Sequence, residues 1–175
     1  KSREEERAMH LESIAAIQRM TGQRPMGQFI GTATLQTREL LPELGYVYDS
    51  NWAGGDLPIF VGVKGRPWLL IPYAFNLNDG RYFRSIGYVE PGQFFREAQA
   101  SFDRLYKEST KVTKMMTMSL HVRISGLPGR ANAVERFIAY ARSFPGVWFS
   151  RRDEIARVWL EQFGPGAPQE TTPRA

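Results

Sequence analysis

The sequence predicts an α/β protein whose strands are mostly parallel. Helix-like and strand-like segments alternate along the chain, the strand-like segments are short apolar runs, and no run approaches the ~18–20 apolar residues of a membrane-spanning helix. The 175 residues suffice for one domain. About five strand–helix units are too few to close an eight-stranded barrel. We therefore expect an incomplete arrangement of strands and helices.

The first half of the chain contains two predicted helices. Ser2 followed by Glu5 forms a capping-box pattern, which predicts a helix up to Met20 with Leu11, Ile14 and Ile17 facing the core. The further elements predicted here are a strand at 28–31, a helix at 37–44 that Pro42 shortens or kinks, a strand at 46–49, and a hairpin of 59–63 with 68–73.

The second half contains three predicted helices. Pro91 opens the first, because Phe95, Ala98 and Phe102 then share one face. The further elements predicted here are a buried strand at 115–122, a helix after the loop at 125–129, a short strand at 147–149 and a terminal helix after Ser150. Residues 164–175 contain three prolines and no apolar face, so we expect a flexible tail.

Composition argues against several classes of function. The chain has no cysteine, which removes disulfides, thiol nucleophiles and zinc–thiolate sites and fits a reducing, cytoplasmic location. Two histidines cannot build a multi-histidine metal centre. The charged opening residues give no secretory signal. The net charge of +5 is scattered among both signs, which favours a solvated surface over nucleic-acid binding.

His121 is the first candidate for chemistry. It stands at the end of the apolar run at 115–120, and residues at the carboxyl ends of parallel strands face the active-site crevice of an α/β fold. A histidine there can give a proton to a leaving nitrogen or oxygen near neutral pH. The alternative is a hydrogen-bonded histidine with a structural role. His10 lies inside the first helix, where we expect a surface or boundary position.

Three further residues allow two interpretations each. Asp49 ends a predicted strand, where its carboxylate could orient an arginine or bind substrate, or simply form a turn. Arg24 could hold a carboxylate in a bidentate pair or form a surface ion pair. Trp52 lies in a glycine-rich loop, as a stacking platform for substrate or as a hydrophobic plug beneath the loop.

The ordered motifs resemble those of the polysaccharide deacetylase-like hydrolases, most of all the branch with cofactor-sparing allantoinases and cyclic imide hydrolases. The resemblance covers residues 2–160. It is carried by Thr21-Gly22-Gln23-Arg24-Pro25-Met26-Gly27, Leu44-Gly45-Tyr46-Val47-Tyr48-Asp49-Ser50-Asn51, Asp56-Leu57-Pro58, Met118-Ser119-Leu120-His121-Val122-Arg123-Ile124 and Gly129-Arg130-Ala131. The fold it implies is an irregular (β/α) barrel, incomplete in this chain.

The resemblance also implies roles for individual residues. Arg24 matches the arginine that holds the catalytic carboxylate, His121 matches the general acid, and Leu120 lines the acyl pocket. Asp49 to Trp52 match the family's Asp/Trp motif loosely, because Asn51 stands where deacetylases carry aspartate. The residues expected to bind substrate are Leu120, Asn51, Trp52, Arg123 and Arg130, the two arginines on charge and position.

The family's first two motifs, with the general base and the metal ligands, have no match in this chain. Residues 1–163 therefore resemble the C-terminal half of the catalytic domain, as a split subunit, a processed fragment or a truncated chain. The implied activity is hydrolysis of a small amide, imide or N-acetyl sugar, which includes a link to carbohydrate metabolism, in a hetero-oligomer with a second chain carrying the N-terminal half. The cofactor is unknown: a divalent metal such as zinc on that half, or none. The alternative is a non-catalytic scaffolding or regulatory homologue.

Overall fold

The structure is a computed structural model that describes residues 2–85 and 87–166. The described residues form two compact units. The first unit is the described part of Lys1–Trp52, Pro58–Ile71 and Ser150–Ala175, and the second is Ala53–Leu57 with the described part of Pro72–Phe149. The predicted tail lies outside the described residues beyond position 166.

The first unit is built on a four-stranded sheet. Its strands are β1 (Gly27–Gln28), β2 (Tyr48–Asp49), β3 (Ile59–Val63) and β4 (Arg66–Leu70), in the order β1-β2-β4-β3. β1, β2 and β4 run parallel, with Gly27 opposite Tyr48 and Tyr48 opposite Leu69. β3 and β4 form the predicted antiparallel hairpin. The sheet is thus mostly parallel, as expected for an α/β protein.

Three helices belong to the same unit: α1 (Arg3–Thr21), α2 (Leu35–Glu43) and α6 (Arg152–Phe163). The predicted capping box starts α1, because the Ser2 hydroxyl accepts from the Glu5 N–H and the Glu5 carboxylate accepts from the Ser2 N–H. The buried core between helices and sheet consists of Ile14, Leu40, Leu41, Leu44, Tyr46, Val63, Trp68 and Leu70.

The expected apolar face of α1 is wrong in two ways. Leu11 and Ile17 are exposed, and of the three residues that we expected to face the core only Ile14 is buried. His10, expected at a surface or boundary position, is only 3% exposed and lies edge-on against Tyr46 with 5.8 Å between ring centroids. Its Nε2 atom is 3.9 Å from the Glu6 carboxylate. A buried stripe of one aliphatic residue and two polar residues therefore attaches α1 to the unit, a pattern that a search for apolar periodicity misses.

The second unit is helical. It contains a 3₁₀ helix (Asp79–Phe83), α3 (Pro91–Glu108), the single turn α4 (Val122–Ser125) and α5 (Pro128–Arg142). α3 packs on α5, and the shared core consists of Leu77, Ala98, Phe102, Phe137 and Ala141. The predicted start of α3 at Pro91 and two residues of its predicted core face, Ala98 and Phe102, are confirmed.

Two predicted strands do not form. Residues 115–119 and His121 are half-buried and Leu120 and Val122 are exposed, and the run contributes a single bridge between Ser119 and Asn78 before α4 begins at Val122. Residues 147–149 also lack strand pairing, and Trp148 and Phe149 are more than half exposed. Both runs are apolar enough for a buried strand, but apolar composition by itself determines neither the burial of a run nor its pairing partner.

Candidate active site

In the second unit, the side chains of His121 and Asp79 form a hydrogen-bonded pair. His121 Nδ1 lies 2.6 Å from Asp79 Oδ1, and the His121 backbone N–H donates to Asp79 Oδ2 at 2.7 Å. The Ser125 hydroxyl donates to the same oxygen at 2.7 Å. Asp79 is fully buried, whereas the His121 side chain is 37% exposed. The carboxylate thus holds the imidazole from the protein side, while the ring remains open to solvent.

The local sequence brings these two residues together. Asn78 caps the 3₁₀ helix, because its side-chain oxygen accepts from the Gly80 N–H at 2.7 Å. The bridge between Asn78 and Ser119 is made by an Asp79 N–H donating to the Ser119 carbonyl and a Ser119 N–H donating to the Leu77 carbonyl. Asp79 is therefore fixed beside the residue that follows Leu120, and His121 becomes the N-cap of α4.

Electrostatics keep Asp79 ionised. Burial by itself raises the pKa of a carboxyl, but three hydrogen bonds from the His121 N–H, the His121 ring and Ser125 outweigh that effect and lower the pKa of Asp79 below its usual value. An ionised carboxylate can only accept hydrogen bonds, so His121 Nδ1 carries a proton. Nε2 is then the ring nitrogen that can exchange a proton with a bound molecule.

A groove of about 610 Å³ opens beside this ring, lined by residues from positions 120–142. Its wall is mostly aliphatic, and its polar side chains are His121, Ser125, Glu135 and Arg142. A mainly apolar cavity with a few convergent polar groups is the usual form of a ligand site. The His121–Asp79 pair and this groove together make up the candidate active site of the second unit.

The first unit has its own buried carboxylate, Asp49. The chain places it at the end of β2, and it is 1% exposed. Asp49 Oδ2 accepts from Arg38 Nε at 3.1 Å and from the Trp68 indole N–H at 2.8 Å, and Oδ1 accepts from the Asn51 N–H at 2.8 Å. The arginine that Asp49 contacts is therefore Arg38.

The other predicted site residues of this unit have structural partners. Arg24 Nη2 donates to the carbonyl of Leu44, which ends α2. The Asn51 side-chain amide exchanges hydrogen bonds with the backbone of Ile30, which continues the pairing of the sheet beyond β1. Trp52 is half-buried and packs against the first unit's core, as the plug interpretation predicts.

The remaining predicted residues lie in the second unit. Leu120 is 44% exposed and lines the groove, and Arg123 is an exposed residue of α4. Arg130 lies in the first turn of α5 with its guanidinium 4.2 Å from the centre of the Tyr82 ring, a cation–π contact. Its Nη1 atom is buried and has no hydrogen-bond partner among the described residues.

Sequence reasoning missed Asp79, Ser125 and Arg38. Asn78-Asp79-Gly80 is a residue cluster typical of a turn, which is correct locally because Asn78 caps the 3₁₀ helix. The contact of Asp79 with His121 joins residues 42 positions apart in the chain, and no spacing rule reports such a contact. Ser125 carries a weak signal, since it lies four residues after His121 and one helical turn brings the two together.

The described residues contain no group of three or more histidine, cysteine, aspartate or glutamate side chains that could hold a metal ion. Within residues 2–85 and 87–166, no helix combines the length and the apolar character needed to cross a bilayer.

Comparison with known proteins supports the resemblance. A curated Schizosaccharomyces pombe protein named "Putative polysaccharide deacetylase" is 31% identical over 166 residues, which are 85% of this chain and 52% of that protein. A crystal structure of a probable polysaccharide deacetylase from Pseudomonas aeruginosa PAO1 matches with 38% identity and a TM-score of 0.87, over 93% of this chain and 55% of that one. No family model matches the chain.

The structure has the fold of the polysaccharide deacetylase-like proteins, as the sequence resemblance implied, and these similarities support a family of carbon–nitrogen hydrolases. An allantoinase is among the relatives: the crystal structure of Puue allantoinase matches with 36% identity and a TM-score of 0.88, over 94% of this chain and 56% of that one. The chain spans about half the length of the curated relative that it matches, consistent with an incomplete barrel.

Proposed function

We propose that this chain supplies the proton donor of a hydrolase acting on carbon–nitrogen bonds other than peptide bonds. The substrate class is a small amide, imide or N-acetyl compound. The groups that activate water are carried by the N-terminal half of the fold, on a second chain in a hetero-oligomer. The observation that supports this proposal most is the half-exposed imidazole of His121, held by a buried, ionised Asp79 at the mouth of a groove.

The geometry suits general acid catalysis. Water attacks the carbonyl carbon, and a base on the other half takes the proton that the water loses. The carbon–nitrogen bond then breaks, and the departing nitrogen takes the proton that His121 carries on Nε2. Asp79 stabilises the imidazolium before transfer and holds the ring with Nδ1–H directed inward, as the aspartate of a catalytic triad does for its histidine. Asp79 is thus a positioning residue for His121.

The other predicted residues take supporting roles in this proposal. Leu120 lines the groove next to His121 and would contact the apolar part of the substrate. Arg123 is exposed on α4 and would attract a polar or anionic substrate. Arg24 would hold the base of the other half, in addition to its contact with Leu44. Asp49 would act indirectly, by ordering the chain at Asn51 that precedes Trp52.

A metal is left out of the proposed steps, because the described residues do not offer a ligand set for one. If the completed enzyme uses a divalent metal, its ligands belong to the other half. The proton transfer from His121 is the same in both cases, since it concerns the leaving nitrogen and not the attacking water.

The test uses the complex. The chain is co-expressed with the part of the Pseudomonas aeruginosa deacetylase that it does not cover, and the purified material is assayed for hydrolysis of allantoin, a cyclic imide and an N-acetylated sugar. We expect hydrolysis of one of these, with His121→Ala lowering kcat by a factor on the order of 10² or more.

The chain's other histidine provides the matched control. His10→Gln removes an imidazole from the first unit, and we expect it to change thermal stability more than kcat. Full activity of His121→Ala contradicts the proposed acid. A complex that forms and hydrolyses none of the three compounds favours the scaffolding alternative.

A further inference from the structure

The side-chain amide of Asn78 is hydrogen-bonded at both ends. Its Oδ1 atom accepts from the Gly80 N–H at 2.7 Å, which caps the 3₁₀ helix, and its Nδ2 atom donates to the Tyr73 hydroxyl at 2.6 Å. The cap is closely packed, because a Cβ atom on Gly80 would come within 2.8 Å of Asn78 Oδ1. An amide held at both ends has one orientation, so Asn78 sets how the 3₁₀ helix that carries Asp79 begins.

Tyr73 is itself held by the segment that leads to His121. The residue before it, Pro72, has a carbonyl that accepts from the Thr117 hydroxyl at 3.1 Å. The Tyr73 ring also lies edge-on against Phe75, with 5.5 Å between ring centroids. The hydroxyl is therefore kept in place by contacts that do not involve the 3₁₀ helix, and it gives the capping amide a fixed point to bind.

We infer that Tyr73 is a positioning residue of the candidate site, whose hydroxyl holds the Asn78 amide and through it keeps Asp79 in contact with His121. The effect on hydrolysis rests on the proposed function, whereas the effect on the imidazole does not. The ionised carboxylate of Asp79 can only accept, so its 2.6 Å contact requires the proton on His121 Nδ1. Once the proposed acid has given up its Nε2 proton, the ring is left as this Nδ1–H tautomer, so a looser contact slows the transfer.

The first experiment measures the tautomer of His121 in the isolated chain. The chain has two histidines, so nitrogen NMR of the imidazole rings resolves His121 from His10, and His10→Gln assigns the signals. At a pH where the ring is neutral, we expect the wild-type ring to be mainly the Nδ1–H form. Tyr73→Phe keeps an aromatic ring against Phe75 and removes the hydroxyl, and we expect it to raise the Nε2–H fraction at least about 3-fold.

Tyr140→Phe is the matched control. The Tyr140 hydroxyl belongs to the same unit and donates to Asp103 Oδ1, also at 2.6 Å. Its removal deletes a hydrogen bond of the same length that does not involve Asn78. We expect the tautomer of His121 to stay as in wild type, which separates the loss of this particular hydroxyl from the loss of any tyrosine hydroxyl in the unit.

Two further variants test whether Tyr73 acts through Asn78. Gly80→Ala approaches the same amide from its other end, because the added methyl group displaces Asn78 Oδ1, and we expect it to raise the Nε2–H fraction as well. Asn78→Ala removes the amide altogether. Adding Tyr73→Phe to Asn78→Ala should then change the Nε2–H fraction by less than about 1.5-fold, because the contact through which Tyr73 acts is already lost.

The second experiment measures kinetics in the complex co-expressed with the remaining part of the Pseudomonas aeruginosa deacetylase. We expect Tyr73→Phe to lower kcat about 3- to 10-fold with KM little changed, and Tyr140→Phe to match wild type. A rise in KM at unchanged kcat would place Tyr73 against the substrate and overturn its positioning role. If the complex hydrolyses none of the three compounds, the tautomer alone decides.

Four NMR outcomes also overturn the inference: a wild-type ring mainly in the Nε2–H form, an unchanged tautomer in Tyr73→Phe, an equal change in Tyr140→Phe, or additive effects of Asn78→Ala and Tyr73→Phe. A tautomer that responds to Tyr73→Phe while His121→Ala retains full activity supports the positioning of the ring and refutes the proposed acid. An unchanged tautomer with an inactive His121→Ala does the reverse, so the two proposals can fail separately.

Discussion

Asp49 in the first unit and Asp79 in the second are similar in environment and different in partners. Each is a buried aspartate that accepts three hydrogen bonds from groups nearby. The partners of Asp49 are a guanidinium, an indole and a backbone N–H, and none of these exchanges a proton near neutral pH. One partner of Asp79 is an imidazole, which does.

The comparison shows why burial and hydrogen bonding do not by themselves identify a catalytic carboxylate. Asp49 fixes the end of β2 against α2 and β4, and its contacts are complete within the unit. Asp79 instead contacts the imidazole ring of His121, which is partly exposed and lines a groove. The function of a buried carboxylate thus depends on whether the group that it holds can meet a substrate.

The largest expected effect is on catalysis through Asp79. Asp79→Asn retains the size of the side chain but removes the charge that stabilises the imidazolium and places an amide against three donors. In the active complex we expect kcat to fall by a factor on the order of 10² to 10³ with KM little changed. Steady-state kinetics of the variant and wild-type complexes measure this. A rise in KM at unchanged kcat would assign Asp79 to substrate binding instead.

The main expected effect of Asp49 is on stability. Asp49→Ala leaves the buried Trp68 indole N–H and the Arg38 guanidinium without their acceptor. Removing one partner of a buried charged pair costs about 3 kcal/mol when the remaining charge can partly rehydrate, as Arg38 can with 28% of its side chain exposed. Urea unfolding of the isolated chain measures the loss.

The matched control for Asp49→Ala is Glu39→Ala, which removes an exposed carboxylate from the same unit and should change the free energy of unfolding by less than about 0.5 kcal/mol. Equal losses in the two variants would show that the hydrogen bonds of Asp49 contribute little to the stability of the unit.

A smaller effect is expected at Ser125. Its hydroxyl donates to Asp79 Oδ2, which also accepts from the His121 N–H. Ser125→Ala removes one of three donors and leaves the charge and the ring contact in place, so we expect a loss of about 1 kcal/mol in stability and a fall in kcat of less than about 10-fold. A loss as large as that of Asp79→Asn would mean that the hydroxyl takes part in catalysis directly.

Local signals in the sequence predicted several elements correctly. Residues close together in the sequence determine each of these elements: the capping box at Ser2, the helix start at Pro91 and the hairpin of β3 with β4. The strand predicted at 115–122 was wrong, because its apolar residues pack without a neighbouring strand to pair with.

The candidate site was also only partly predictable, because some of its contacts join segments that are distant in the sequence. The motif around His121 identified the exposed half of the pair, whereas Asp79 depends on a bridge between Asn78 and Ser119 that no local rule describes. Arg38 likewise meets Asp49 through the packing of α2 on β2. The sequence motifs identify His121 and Asp49, whereas their partners Asp79 and Arg38 come from other segments of the chain and are brought close only by the fold.

His10 and Glu6 offer the last and smallest test, because they form a second histidine–carboxylate pair. There the two groups are 3.9 Å apart and both are buried, whereas His121 and Asp79 are in direct contact at 2.6 Å. Burial lowers the pKa of His10, and the charge of Glu6 offsets this only in part. The Gln36 and Thr37 side chains hydrogen-bond to Glu6, and the Tyr46 ring lies against His10; these three side chains are uncharged.

The sign of the pH effect follows from that shift. Because the pKa of His10 is lower in the folded chain, the unfolded chain takes up a proton at His10 more readily below about pH 6.5. The contribution of the neutral His10 to the free energy of unfolding is therefore complete above that pH and is lost as the pH falls through it. His10→Phe keeps an aromatic ring against Tyr46 and cannot titrate. We expect the wild-type chain to lose more free energy of unfolding than His10→Phe between about pH 7.5 and about pH 5, measured by urea unfolding. Equal losses would mean that folded His10 takes up a proton as readily as the unfolded chain does. The two histidines would then differ only in how far their side chains are exposed.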